Sequence, residues 1–145
     1  MTTPLPHPVT YGPITRTDLV RYAGASGDFN PLHHDPDFAA EAGLPDVMAH
    51  GMLSAGLLAS ALTDWFGPGS VLDYAVRFKS PVWPGDILTA RCVGIGPAAA
   101  GIRDREAELV LELVRNGDEV VLSGTARVAL EQAASDLTVT GGELS

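Results

Sequence analysis

The stretch that decides the fold of this chain is His50-Gly51-Met52-Leu53-Ser54-Ala55-Gly56-Leu57-Leu58-Ala59-Ser60-Ala61-Leu62. Apolar and small residues continue to Trp65, and Gly67-Pro68-Gly69 then ends the helix that this composition predicts. Because the helix is apolar nearly all round, we expect neighbouring elements to cover most of its sides. The apolar run is shorter than a membrane span and is interrupted by polar residues, which indicates a buried helix.

The residues after this helix follow a pattern typical of strands. Four stretches rich in Val, Ile, Leu and Thr cover residues 71–79, 86–95, 103–115 and 119–130. Asn116-Gly117, between the last two stretches, is typical of a type I′ hairpin. We therefore predict a four-stranded antiparallel meander, with a further edge strand around residues 9–11. Five strands do not cover such a helix completely, so we expect the sheet to curl around it and a second subunit to cover the rest.

Two shorter helices are predicted before the long one. The first begins at Thr15, which has capping-box spacing to Asp18, and it ends in the glycine cluster at 24–27. Its apolar side is predicted to consist of Leu19, Val20, Tyr22 and Ala23. The second begins at Asp35-Pro36, with an aspartate at the N-cap and a proline at the first helical position.

Length and charge exclude several classes of protein. The 145 residues have room for one domain, which we place at 1–132, and the polar residues 133–145 are expected to be a disordered tail. A net charge of −9 leaves no basic face for nucleic acid. The single Cys92 excludes an internal disulfide framework, and no signal-peptide pattern is present, so we expect a cytoplasmic protein that does not associate with membranes.

The loop Gly27-Asp28-Phe29-Asn30-Pro31-Leu32-His33 places a carboxylate and an imidazole five residues apart. Pro31 removes a backbone donor and keeps Asn30 out of the helical region, so this segment is not a continuous helix. An acid and a base on a rigid loop are what proton-transfer chemistry needs. From the residues alone, alternatives stay open. Asp28 and His33 are either an acid–base pair, or Asp28 caps a turn and His33 is a surface residue. Asn30 either holds the loop or a water, or forms a plain Asx turn.

These residues resemble the MaoC-like family of hot-dog-fold hydratases and dehydratases. The resemblance rests on residues 22–33, on Asp35-Pro36 and Phe38-Ala39, on Ala49-His50-Gly51-Met52-Leu53, on Val76-Arg77-Phe78-Lys79-Ser80-Pro81-Val82 and on the turn Pro84-Gly85-Asp86. It extends over residues 10–130, nearly the whole chain. It implies a single α+β hot-dog domain, in which a long central helix is wrapped by a curved antiparallel sheet and two subunits form one larger sheet.

The resemblance also implies an activity. Members of the family reversibly hydrate trans-2-enoyl thioesters of coenzyme A or acyl carrier protein to (R)-3-hydroxyacyl thioesters. By this resemblance Asp28 and His33 are the catalytic acid–base pair that acts on a bound water. Gly51 supplies a backbone N–H to the thioester carbonyl; its alternative is a close helix contact. We expect no cofactor beyond the carrier of the substrate.

Two other functions stay open at this point. A hot-dog acyl-thioesterase would hydrolyse the thioester itself, although such an enzyme does not need Asp28 and His33 at this spacing. A non-catalytic subunit of a heterodimeric dehydratase is the second rival, although such subunits tend to lack the pair. We expect a homodimer, with a heterodimer as the alternative.

Further side chains are candidates for binding or support. Some relatives have a serine in the long helix where this chain has Ala59, so the adjacent Ser60 is a candidate pocket residue. His50 is expected either to line the pocket or to cap the helix, and we favour the structural role. Arg77 and Lys79 are candidates for contact with a phosphate of the carrier, with a solvated strand end as the favoured alternative.

A metal site is not expected. His33, His34, Asp35 and Asp37 form a tempting cluster in the sequence. Adjacent histidines rarely bind one ion together, and no further ligand follows at a suitable spacing.

Overall fold

The computed structural model describes residues 4–98 and 105–130. The elements in chain order are β1 (Val9–Tyr11), α1 (Arg16–Ser26), a 3-10 turn (Pro31–His33), α2 (Pro36–Glu41), α3 (Gly51–Phe66), β2 (Val71–Phe78), β3 (Leu88–Pro97), β4 (Glu106–Arg115) and β5 (Glu119–Ala129). This arrangement confirms the predicted α+β class. The tail predicted at 133–145 lies outside the described residues.

Local signals place the ends of these elements. Thr15 and Asp18 form the predicted capping box, in which each side chain accepts a hydrogen bond from the backbone N–H of the other residue. Asn116 and Gly117 have positive φ angles of 49° and 96°, as a type I′ turn between β4 and β5 requires. These predictions are confirmed because each depends on residues only a few positions apart.

The predicted four-stranded meander is wrong for its first strand. The sheet order is β1-β3-β4-β5-β2, and every neighbouring pair is antiparallel. Only β3, β4 and β5 form a meander, because β2 pairs with β5 at one edge of the sheet and the chain then crosses to β3. Backbone hydrogen bonds hold this crossing. The N–H of Lys79 donates to the carbonyl of Val121 in β5. In the turn before β3, Gly85 N–H donates to the Ile14 carbonyl and Ile14 N–H donates to the Asp86 carbonyl.

Helix α3 packs against the sheet, but only along one side within the described chain. Its buried residues are Ser54, Ala55, Leu58, Ala61 and Leu62. They meet a layer of buried leucines from the strands, which are Leu88, Leu109, Leu111, Leu113 and Leu122. The expectation of a helix covered on most sides is therefore not met by one subunit, since Met52 remains 61% exposed.

The short helix α1 also presents less apolar surface to the core than predicted. Leu19 and Ala23, four residues apart on one face, are buried, whereas Val20 is 62% exposed. Among the described residues, no helix has the length and apolar character needed to cross a membrane.

Candidate active site

The loop that carries Asp28 is shaped by short-range hydrogen bonds. Helix α1 ends at Gly27, whose φ of 74° is left-handed and whose N–H donates to Ala23. The Asp28 Oδ1 atom then accepts a hydrogen bond from the N–H of Asn30 at 3.2 Å. The Asn30 Oδ1 atom accepts in turn from Leu32 N–H at 3.1 Å, so Asn30 forms the Asx turn that starts the 3-10 turn.

His33 lies at the end of this 3-10 turn, with its side chain 10% exposed. Its Nδ1 atom lies 2.5 Å from the carbonyl oxygen of Met48. Because a carbonyl only accepts, Nδ1 carries a hydrogen and donates it. The Nε2 atom is left to face Asp28, and it lies 3.7 Å from the carboxylate Oδ2. The structure therefore brings the two predicted residues together, at a distance too long for a direct hydrogen bond and short enough for one water to contact both groups.

His50 contacts both members of the pair, which the sequence did not indicate. It is the N-cap residue of α3, although its side chain makes no capping hydrogen bond. Its Nε2 atom donates to the backbone carbonyl oxygen of Asp28 at 3.1 Å. Its ring stacks on that of His33, with centroids 3.8 Å apart, and lies 4.8 Å from the ring of Tyr22.

Gly51 is the first residue of α3, so its backbone N–H has no acceptor within the helix. The first backbone hydrogen bonds of the helix are those that the N–H groups of Leu53 and Ser54 donate to the His50 carbonyl. A Cβ added at Gly51 would lie 2.9 Å from Cε1 of Phe78. The close contact and an N–H with no acceptor inside the helix both occur at Gly51, so its two predicted roles are compatible.

Two cavities meet at Gly51 and Phe78. One, of about 350 Å³, is lined by Tyr22, Ser26, Asp28, His50, Gly51, Met52 and Phe78. The other, of about 330 Å³, adds residues from β5 and from the crossing segment, among them Lys79, and it also includes the buried Ser54. The ring of Phe78 lies where the two cavities join.

The remaining candidates lie in different places. Lys79 lines the second cavity, whereas Arg77 lines a separate cavity beside Val110. Ser60 is exposed, and its Oγ donates to the Gly56 carbonyl on its own helix. The structure does not bring Ser60 to the site.

The helical period explains the position of Ser60. Nine residues after Gly51 correspond to about 2.5 turns, which places Ser60 on the opposite side of α3. Ser54, three residues after Gly51, stays near the site. Ser54, Tyr22 and Phe78 are pocket residues that the sequence reasoning missed, and the helical period was the signal that favoured Ser54.

The metal cluster considered in the sequence is not the one that the fold assembles. Within the described residues, Asp28, His33 and His50 have potential ligand atoms within 4.8 Å of one another. The planes of the two imidazoles differ by only 23°, and the rings are stacked. A histidine lone pair lies in the plane of its ring, so two stacked rings do not direct lone pairs to one ion at about 2.0–2.1 Å. One of the rings would have to rotate before the three groups bound an ion.

Comparisons with known proteins agree with this fold. The chain matches the MaoC like domain family over residues 3–117. It is 36% identical over 117 residues to a 3-hydroxybutyryl-CoA dehydratase of Methylorubrum extorquens, a match that covers 79% of this chain and 72% of that protein. It is 34% identical to an (R)-specific enoyl-CoA hydratase of Aeromonas caviae, over 78% of this chain and 84% of the relative.

A solved structure extends this agreement to three dimensions. The (R)-hydratase of A. caviae involved in PHA biosynthesis superposes with a TM-score of 0.75 and 29% sequence identity, over 90% of this chain and 98% of that one. The hot-dog fold predicted from the resemblance is confirmed by this superposition. The family match covers most of the chain, and its relatives are hydro-lyases. This protein belongs to the MaoC-like domain family.

Proposed function

We propose that the protein catalyses the reversible hydration of trans-2-enoyl thioesters to (R)-3-hydroxyacyl thioesters. The observation that carries this proposal is the separation of 3.7 Å between Asp28 Oδ2 and His33 Nε2, in a site that also includes the start of α3 at Gly51. The names of the hydratase and dehydratase relatives support the same reaction.

The pair has the two proton-transfer groups that this reaction needs. Since Nδ1 of His33 is held by Met48, proton transfer through this ring uses Nε2. One group of the pair takes a proton from water while the water oxygen bonds to C3, and the electron pair of the C2–C3 double bond moves to C2. The other group, which carries a proton at the start of the reaction, gives it to C2. A proton then passes between His33 Nε2 and the Asp28 carboxylate, which returns the pair to its starting state.

Charge develops on the thioester oxygen during this step, and α3 is placed to stabilise it. The N–H of Gly51 points out of the first turn, where the helix dipole is positive. An N–H group fixed before the reaction stabilises an oxyanion without reorganisation. Asp28 and Gly51 line the same cavity. One bound substrate therefore has its C3 atom near the water at Asp28 while its thioester carbonyl lies at the Gly51 N–H.

The carrier and the oligomeric state belong to this proposal. The substrate is an acyl-CoA or acyl-ACP thioester. Lys79, which lines the second cavity, is the candidate for contact with a phosphate of the carrier. We infer a homodimer that joins along β2, because this strand is an edge of the sheet and its Leu72 and Phe78 are 46% and 55% exposed.

A direct assay tests the proposed reaction. Purified protein is mixed with trans-2-butenoyl-CoA or the matching acyl-ACP, and the ultraviolet absorbance of the conjugated thioester is followed together with free thiol. Loss of absorbance without thiol release, with an (R)-3-hydroxy product on chiral analysis, is the expected result. Release of thiol would identify a thioesterase, and absence of turnover on every carrier and chain length would favour a non-catalytic subunit.

A further inference from the structure

The side chain of His50 joins the parts of the site that lie far apart in the sequence. It is 2% exposed and hydrogen-bonds the carbonyl of Asp28, which lies 22 residues earlier. It stacks on the ring of His33. It also directly precedes Gly51, whose N–H faces the cavity in the proposed reaction. One residue therefore contacts the backbone of Asp28 and the ring of His33, and it directly precedes the helix that carries the carbonyl site.

The hydrogen bonding of His50 shows that its ring does more than fill space. The Asp28 carbonyl accepts from Nε2, so that nitrogen carries the hydrogen. The other nitrogen, Nδ1, is buried and has no hydrogen-bond partner among residues 4–98 and 105–130. Burying an unpaired nitrogen is unfavourable, and a phenyl ring would occupy the position without this penalty. The Nε2 hydrogen bond is the interaction that a histidine adds at this position.

This hydrogen bond and the ring stack together restrict the catalytic pair. The Asp28 residue is held at its carbonyl by His50 and at its Oδ1 by the N–H of Asn30, which leaves Oδ2 directed at His33. The His33 ring is held at Nδ1 by the carbonyl of Met48. The His50 ring is stacked on one face of the His33 ring and restricts its tilting toward that side. The Oδ2–Nε2 separation thus depends on His50 from both sides.

We propose that His50 is the positioning residue that sets the separation of Asp28 and His33. This inference rests on the hydration reaction proposed above and deepens it. His50 does not exchange a proton with the substrate in this scheme. It acts through Asp28 and His33, by keeping the carboxylate and the imidazole where one water reaches both.

Two substitutions separate the hydrogen bond from the ring. His50→Gln keeps an N–H donor at the same number of bonds from Cβ, whereas His50→Phe keeps an aromatic ring and loses the donor. A small misplacement of catalytic groups costs about 100-fold in rate, so we expect His50→Phe to lower kcat by about that factor. Because an aromatic ring still lines the cavity at this position and the other lining residues are unchanged, KM should stay within about threefold. His50→Gln should restore at least about a tenth of the wild-type kcat.

The controls distinguish this proposal from a general loss of stability and from failure of the proposed function. His7→Gln makes the same chemical change in the exposed lead-in and should leave kcat unchanged. Circular dichroism and Tm identify variants that fail to fold. If His50→Phe does not fold, His50→Asn replaces it, since its shorter amide does not reach the Asp28 carbonyl, and it should have a lower kcat than His50→Gln.

Several results would overturn the positioning role. A wild-type kcat in His50→Phe would do so. An equal loss of kcat in His50→Gln and in His50→Phe, or in His50→Asn where that variant replaces it, would also do so. A change confined to KM would assign His50 to substrate binding instead. A wild-type protein that hydrates no enoyl thioester would refute the proposed function itself, whereas an active wild type with an unaffected His50→Phe variant would refute only this inference.

Discussion

At the scale of single residues, the site depends on backbone carbonyls that select one nitrogen of each imidazole. Met48 accepts from Nδ1 of His33, and Asp28 accepts from Nε2 of His50. Each hydrogen bond leaves the other ring nitrogen without a hydrogen in the neutral ring. For His33 this nitrogen faces the carboxylate of Asp28, and its hydrogen bond to Met48 keeps it there, as orienting partners do for catalytic histidines in general.

The pair makes the most direct prediction at this scale. Asp28→Asn and His33→Gln each remove one proton-transfer group, so each should lower kcat by about 10²–10⁴. The fold should persist, because the asparagine Oδ1 can still accept from the N–H of Asn30. Absorbance kinetics on an enoyl thioester measure the loss. Asp37→Asn, an equivalent change at an exposed position of α2, is the matched control, and a variant of the pair that kept wild-type turnover would contradict the mechanism.

Gly51 leads to a second prediction. In Gly51→Ala the new Cβ would overlap the ring of Phe78, which is half exposed and is expected to swing toward the catalytic cavity. We expect kcat/KM to fall at least about tenfold with a small change in Tm. Adding Phe78→Ala should recover much of the activity.

Gly56→Ala is the matched control on the same helix. A Cβ at Gly56 has no neighbour within 4 Å, and alanine favours a helix, so this variant should gain about 0.5–1 kcal/mol in the free energy of unfolding without loss of turnover. If Gly51→Ala were as active as Gly56→Ala, the close contact with Phe78 would have no role in the site.

At the scale of elements, the site requires α3 to keep its position over the sheet. The Tyr74 hydroxyl, on the edge strand β2, donates to the Ala55 carbonyl in the first half of α3 at 2.7 Å. Ala49 N–H donates to the Val82 carbonyl in the crossing segment. These two bonds connect α3 and the residue two positions before it to different segments of the chain, so the position of Gly51 depends on the strand and on the crossing.

Tyr74→Phe tests the contact between α3 and β2. Loss of this hydrogen bond should lower the free energy of unfolding by about 1 kcal/mol at neutral pH. Burial raises the pKa of Tyr74 to about 12 from an ordinary value of 10.0. The folded state therefore favours the neutral hydroxyl, and its contribution is fully present below pH 10 and is lost as the pH rises toward 12.

Denaturation of both proteins across this alkaline range provides the measurement. The wild type should lose its advantage over Tyr74→Phe as the pH rises from 10 toward 12. An advantage that stayed constant over this range would show that the Tyr74 hydroxyl is not buried against the helix.

At the scale of the whole molecule, one subunit leaves much of the site open. Met52 and Phe78 line the catalytic cavity and are both more than half exposed. Phe78 ends β2, which is an edge strand of the sheet formed by the described residues. Pairing of two β2 strands would satisfy the backbone groups of this edge and cover these apolar side chains. The predicted dimer is therefore connected to activity.

The dimer is tested by light scattering coupled to size exclusion. The wild type should have twice the mass of one chain, and Leu72→Lys on β2 should shift it toward the monomer and lower turnover. Val110→Lys places the same charge at a similarly exposed position in the middle of the sheet and should change neither. A monomeric wild type with full activity would contradict the expected interface.

Local chemistry determined much of this protein from sequence alone. The capping box at Thr15 and the hairpin at Asn116 depend on contacts within a few residues, and each is visible in the sequence. The Asx turn at Asn30 is equally local, and the sequence offered it as one of two alternatives. The run of apolar residues after His50 predicts a buried helix for the same reason. The family resemblance assigned Asp28, His33 and Gly51, from two separate stretches of the chain, to one site.

Only the tertiary structure decided how distant segments meet. Pairing of β2 with β5 and the stack of His50 on His33 join residues whose spacing in the chain carries no such information. The cost of closing long loops and the packing of α3 on the sheet select these contacts together, as a property of the whole fold. The sequence therefore determined which groups are available for catalysis. The packing of α3 decided their separation. It places His50, at the start of the helix, against Asp28 and His33, and the carbonyl oxygens of Met48 and Asp28 orient the two imidazoles.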